Sequence, residues 1–245
     1  MAKQSGLGDN LYVAGNNLSG DVGSVTLSSP QGVQEVTGID VSAMERIGLG
    51  RDGSINWASF FNPTRAHPVL SALPTSDVAL TYCRGTTLGN PAACMIAKQI
   101  NYDGTRADDG AFTFALQAQA NGYGLEWGNQ LTAGLRTDTA ATNGSGFDTT
   151  ASLAFGAQAY LQVTAFTGTD VTIKVQDSAD NVTFADVTGL TFTSVTAGPT
   201  TERKATANTA TIRRYLRVAT TTSAGVTSVT FSVVVHKNEI AGVVF

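Results

Sequence analysis

Sulfur and titratable side chains are scarce in this chain. Its 245 residues include two cysteines and two histidines. Cys83 and Cys94 are too few for a disulfide framework and cannot alone complete a zinc site. His67 and His236 leave little material for acid–base catalysis, and joining either to a serine and an aspartate would use only common residues. Charge is also sparse: Asp, Glu, Lys and Arg make up 14% of the chain, where about 25% is usual. With 15 basic and 19 acidic residues the net charge is −4, against the clustered Lys and Arg of tight duplex-DNA binding. No apolar run approaches the roughly 18 residues of a membrane span. The start, Met1 to Gly6, has no apolar core of a signal peptide, so neither membrane insertion nor classical secretion is expected.

Apolar residues make up 42% and the mean hydropathy is +0.03, enough for packed cores and against wholesale disorder. The length suits two domains. Thr rises from 13 in residues 1–147 to 21 in residues 148–245, and net charge moves from −4 (8 bases, 12 acids) to zero (7 and 7). Between them Thr137–Gly146 is small and polar. The division read from this is a first domain over 1–136, a flexible linker over 137–150 and a second domain over 151–245.

Period-two alternation in Ser54–Phe61, Val78–Cys83, Ala93–Tyr102 and Ala111–Ala120 predicts antiparallel strands. A short helix starts near Asn62-Pro63, carries Ala66, Val69/Leu70 and Leu73 at helical spacing, and ends at Pro74. The second part reads as all-β, with strands over 157–166, 171–177, 183–187, 190–195, 215–220 and 226–236, which together suggest a sandwich.

Few motifs carry chemistry. Cys83 and Cys94 flank a turn and either bond across a hairpin or pack as small hydrophobes. Asp177, Asp180, Asn181 and Asp186 could crowd a calcium ion, but lack helix–loop–helix spacing and fit a self-bonding turn equally well. Gly122, Gly124 and Gly128 do not form a dinucleotide loop, and no nucleophile elbow is present. No cofactor, metal or enzymatic activity is expected.

Particular strings say more than spacing does. Asp9–Gly15, Leu18–Ser24, Gly38–Ile47, Arg51–Gly53, Phe60–Pro63, Ala66–Pro74, Arg84–Gly89 and Gly124–Gly128, followed by Leu131–Gly134 and Arg136–Thr139, resemble the major tail tube proteins of long-tailed (siphovirus-type) bacteriophages. The resemblance spans about residues 1–146, with a C-terminal β-sandwich added. It implies a mainly β fold, a tube-type β-sandwich or barrel with one short flanking helix, followed by an immunoglobulin-like or jelly-roll sandwich. It further implies stacked rings of six that form a virion tail tube, assembled in the host bacterial cytoplasm, through which DNA passes without being held. Implied partners are further copies of the chain, a tape-measure protein and a tail terminator.

A mildly acidic first part suits such a conduit. Asp77, Asp103, Asp108 and Asp109, near strand ends, are the candidate bore-facing acids; solvated turns elsewhere are the other reading. Gly6–Ser24 and Gly48–Gly53 carry little apolar mass and read either as arms that order against neighbours or as ordinary loops. A chain cut after Asn143 is then expected to fold and polymerise. The competing functions are a carbohydrate-binding module, disfavoured because residues 148–245 hold no Trp and only Tyr160 and Tyr215 as tyrosines, and a capsid decoration protein.

Overall fold

The computed structural model describes residues 5–72 and 76–241, and within them the fold is mainly β. In chain order the strands are β1 (Asn10–Val13), β2 (Asn16–Asn17), β3 (Val22–Ser28), β4 (Gln31–Glu35), β5 (Arg46–Arg51) and β6 (Ser54–Phe60). After the helix α1 (Ala66–Leu70) come β7 (Val78–Cys83), β8 (Pro91–Gln99), β9 (Asp103–Arg106), β10 (Phe112–Ala120), β11 (Glu126–Gln130) and β12 (Arg136–Asp138). The rest are β13 (Phe147–Asp148), β14 (Ala157–Gly168), β15 (Thr172–Ser178), β16 (Ala185–Thr191), β17 (Thr200–Ala205), β18 (Tyr215–Thr221) and β19 (Val226–Lys237). Among the described residues no helix is long and apolar enough to cross a membrane.

Two compact units divide the chain, and not where the composition shifts. One comprises the residues up to Gly20, Val78–Cys94 and everything from Glu126 on; the other is Asp21–Asp77 with Met95–Leu125. Hydrogen bonding explains the difference from the expected boundary. β11 and β12 both pair with β19, and β1 pairs with β7 along Asn10↔Cys83 to Val13↔Leu80. The segment expected to be a flexible linker is tied by its polar groups. Asp138 accepts from Arg136 Nη2 at 2.7 Å and from Thr220 Oγ1 at 2.8 Å, and Gly144 N donates to Val218 O at 2.8 Å. Small polar residues read as a tether in sequence, yet here Thr137 and Asp138 pair with β19, and Thr142 and Gly144 bond to the backbone of β18.

In the first unit a four-stranded sheet, β13-β18-β15-β16, packs on the sheet that contains β17-β14-β19. Val163, Ile173, Leu190, Val218, Phe231 and Val233 fill the space between them. Each such side chain, fully removed from water, contributes about 1.5–3 kcal/mol. β14 is buried on both faces from Ala157 to Val163. Its odd-numbered residues enter this core. On the even-numbered side Gln162 accepts from Gly15 N at 2.8 Å and donates to Ala79 O at 3.0 Å and Thr81 Oγ1 at 3.1 Å. Gly15 has φ +77°, and a Cβ there would stand 2.7 Å from Val163 O, so only glycine fits.

The cysteines are free and buried, and no bond joins them: Cys94 Sγ faces Thr81 Oγ1 at 3.6 Å. Burial pushes the Cys83 thiol up to about 12 and that of Cys94 well above its usual range. The acidic turn of the sandwich is an Asx turn. Asp180 Oδ1 accepts from Val182 N and Thr183 N at 2.9 and 2.8 Å, and the residues considered for calcium form no metal-binding group among those described.

The second unit is a sheet in which β6 pairs with β3 and β10, and β10 also pairs with β9 and β8. Ile55, Trp57, Phe114, Leu116 and Ala118 are buried on one face, with Ala66 and Leu70 of α1. The helix is shorter than its sequence pattern. Asn62 Oδ1 accepts from Thr64 N and Arg65 N, while Gln99 Nε2 donates to Leu70 O at 2.7 Å at the other end. Leu73 and Pro74, expected to carry and close the last turn, lie outside the described residues.

Candidate assembly surface

β4 and β5 form a two-stranded ribbon within the second unit. Asp52 N donates to Pro30 O at 3.0 Å at its base, and Val36 N to Glu45 O at 2.9 Å near its tip. The register runs from Gln31↔Arg51 to Glu35↔Arg46, with an irregularity between Gln31 and Val33. Of the 21 residues from Gln31 to Arg51, all but Thr37 are exposed, so both faces of the ribbon meet solvent. Seven large apolar side chains between Val33 and Leu49 are exposed, Ile39 fully and Met44 by 65%. A two-stranded hairpin with both faces in solvent is marginal in water, and among the described residues no element covers either face of this ribbon.

Of the two segments read as arms, the first packs on its own chain over much of its length. Leu11, Tyr12, Val13 and Leu18 are buried, and Asp9 is held by Tyr82 Oη at 2.5 Å, Arg84 Nη1 at 2.9 Å and Gly85 N at 2.9 Å. Leu11, Tyr12 and Val13 pair in register with β7, and Leu18 N donates to Leu11 O at 3.0 Å. The second, Gly48–Gly53, falls mostly in β5 of the exposed ribbon. The ribbon's other strand, Gln31–Glu35, carried no sequence signal, because its single apolar residue, Val33, shows no alternation.

A second exposed surface in this unit is aromatic. Phe61 and Phe112 have ring centroids 5.4 Å apart and are 41% and 40% exposed. Behind them Phe114 stacks on Tyr102 at 4.0 Å, and His67 lies 5.1 Å from Phe61 with Nδ1 2.8 Å from Tyr102 Oη. Gly104 of β9 makes room for the rings: a Cβ there would meet Phe114 at 2.8 Å. Helical or strand period alone does not reveal this cluster, because β9, β10 and the residues around α1 each supply part of it.

The four acidic candidates are not brought together. Asp77 is bound by Lys98 Nζ at 2.9 Å and by Asn121 Nδ2 at 2.9 Å, and these two donors, Asn121 first, hold its carboxyl below the usual range. Asp103 opens β9, and Asp108 and Asp109 lie in the β9–β10 turn, where Asp109 Oδ1 accepts from Ala111 N at 2.9 Å; all three are exposed. Asn121 and Ala111 sit at opposite ends of β10, roughly 30 Å apart at strand rise, which separates Asp77 from the turn pair.

No protein-family model and no curated protein matches this chain. Among solved structures it is similar to a chain in the virion of a native gene transfer agent particle, at 13% identity and a TM-score of 0.43, over 51% of this chain and 98% of that one. It is also similar to the SPP1 Dit (gp 19.1) protein, described as a paradigm of hub adsorption apparatus in phages infecting Gram-positive hosts, at 12% identity and a TM-score of 0.34, over 91% and 98%. A chain of the phage p2 baseplate in its activated conformation matches at 10% identity and a TM-score of 0.36, over 95% and 99%. At such scores the likeness carries no argument about what the chain does.

Proposed function

We propose that this chain is a self-associating structural component of a phage-type tail. The β4–β5 ribbon carries the reading: about twenty residues with exposed apolar side chains and no covered face make sense when another molecule covers them. The resemblance of the strings over residues 1–146 to tail tube proteins supplies the setting. Stacked rings of six, a bore for DNA, contact with tape-measure and terminator proteins, assembly in the bacterial cytoplasm and residence in the virion tail complete it. Purified protein, concentrated and imaged by negative-stain electron microscopy, should show rings or tubes. A chain that stays strictly monomeric at high concentration overturns the reading.

Within such a tube the acids have unequal weight. Asp77 is already matched by Lys98, so Asp103, Asp108 and Asp109 carry most of any field acting on DNA. Converting all four to Asn should leave assembly intact and slow genome delivery. Unchanged infectivity of virions carrying the quadruple variant would remove the acids from the bore.

A further inference from the structure

The second unit carries two unmatched apolar surfaces of different character, and neither is covered by the other within one chain. The ribbon supplies flexible aliphatic side chains, Ile39 and Met44 foremost. The platform supplies flat rings, Phe61 and Phe112 outermost, backed by Phe114, Tyr102 and His67. We propose that the β4–β5 ribbon of one copy docks on the Phe61–Phe112 aromatic platform of a second copy. This rests on the chain being self-associating, and it names the two surfaces that meet.

Three observations favour a second copy as the occupant. The ribbon's 21 residues match the roughly 20–30 residues per side of a standard stable interface. Aliphatic and thioether side chains gain from contact with aromatic rings, sulfur with ring edges especially. Among the described residues ribbon and platform occur once each, so every donor has one acceptor. Because the two surfaces differ, a head-to-tail contact between them can repeat without closing on a pair. Repetition is what a tube requires, whereas a two-fold contact would stop at a dimer.

The test uses the full chain. A photoreactive benzoylphenylalanine replaces Phe112, and cross-linked peptides from the assembled protein are identified by mass spectrometry. Cross-links should land within residues 31–51 of another copy. Alongside it, Phe61→Ser/Phe112→Ser breaks the platform and Ile39→Ser/Met44→Ser breaks the ribbon, with folding of each checked by circular dichroism. Each variant alone should lose assembly. A one-to-one mixture should recover a single donor–acceptor step and stop there, giving short species and no tubes. Assembly that proceeds normally with cross-links mapping elsewhere, or a folded platform variant that still polymerises, overturns the docking while leaving self-association standing. No assembly of the unaltered chain overturns both. Reproducible binding of the platform to glycans, with no cross-link to the ribbon, assigns it to sugar instead.

Discussion

Glu126, Tyr160 and Arg203 form a charged network in the first unit, almost out of reach of water. Tyr160 donates its hydroxyl proton to Glu126; Arg203 donates Nε to Tyr160 Oη at 2.9 Å and Nη2 to Glu126 Oε1 at 3.1 Å. The Glu126 and Arg203 side chains are 1% and 7% exposed. Burial first, then the Glu126 carboxylate, pushes the Tyr160 hydroxyl up, so it stays a donor at any working pH. Removing one partner strands the other charge, so Glu126→Ala should cost about 3–5 kcal/mol in urea unfolding. Glu126→Leu combined with Arg203→Met should recover most of that loss. Lys237 behaves differently. Its Nζ donates to Thr149 Oγ1 at 2.8 Å and Ala151 O at 2.6 Å, yet burial brings it down from 10.5 to about 8. The folded state therefore holds this proton less tightly than the unfolded chain does. The penalty is fully present below pH 8 and fades as pH rises towards 10.5, so stability gained from this group increases across that window. The unaltered chain measured against Lys237→Gln by thermal unfolding should gain relative Tm between pH 8 and 10.5; a flat difference would show that the amine is not desolvated.

At the scale of elements, what could be read from the sequence follows from how many neighbours each strand has. β6, β7, β10 and β19 alternate or run apolar because one sheet face is clearly buried, and they lie where period two predicts them. β16 shows a subtler failure: Gly189 interrupts the alternation, so one strand over Ala185–Thr191 reads as two. β17, Thr200–Ala205, is only partly buried and gave no signal, since Thr, Glu, Arg and Lys act there through pairing with β14 and through charge. The aromatic platform was invisible for a related reason: Phe61, Tyr102 and Phe112 are distant in sequence and meet only when β6 and β9 flank β10. The ribbon was half legible. Glycines marked Gly48–Gly53, but nothing announced that Gln31–Glu35 would pair with it. Since the ribbon buries almost nothing in its own chain, replacing residues 31–51 by a short Gly-Ser turn should change unfolding free energy by no more than about 0.5 kcal/mol while abolishing assembly. A large loss of stability on that deletion would mean that the ribbon is part of the core.

For the whole molecule, the consequential difference between composition and structure is where the chain divides. Thr enrichment and neutral charge mark residues 148–245 as distinct, yet residues 78–94 and 126–138 fold with them. A chain ending at Asn143 would keep β11 and β12 and lose β19, to which both are hydrogen-bonded through Asn129↔Val235, Gln130↔Val234 and Arg136↔Phe231 to Asp138↔Val229. Leu131 would lose the core it shares with Leu161, Phe231 and Val233, and Glu126 would lose both Tyr160 and Arg203. Gly15 N would lose its Gln162 partner, while Ala79 O and Thr81 Oγ1 would each lose one of the two partners they have in the full chain. Each buried polar group left unmatched costs about 1–3 kcal/mol, and the stranded β-edges invite aggregation. Set against a typical total stability of about 5–15 kcal/mol, these losses are decisive. The chain cut after Asn143 should therefore be insoluble or lack a cooperative unfolding transition, whereas the expectation from composition was a smaller tube of unchanged bore. Circular dichroism and calorimetry on the two lengths decide between them. A truncated chain that unfolds cooperatively and still forms tubes would show that the first 143 residues hold a sufficient core of their own.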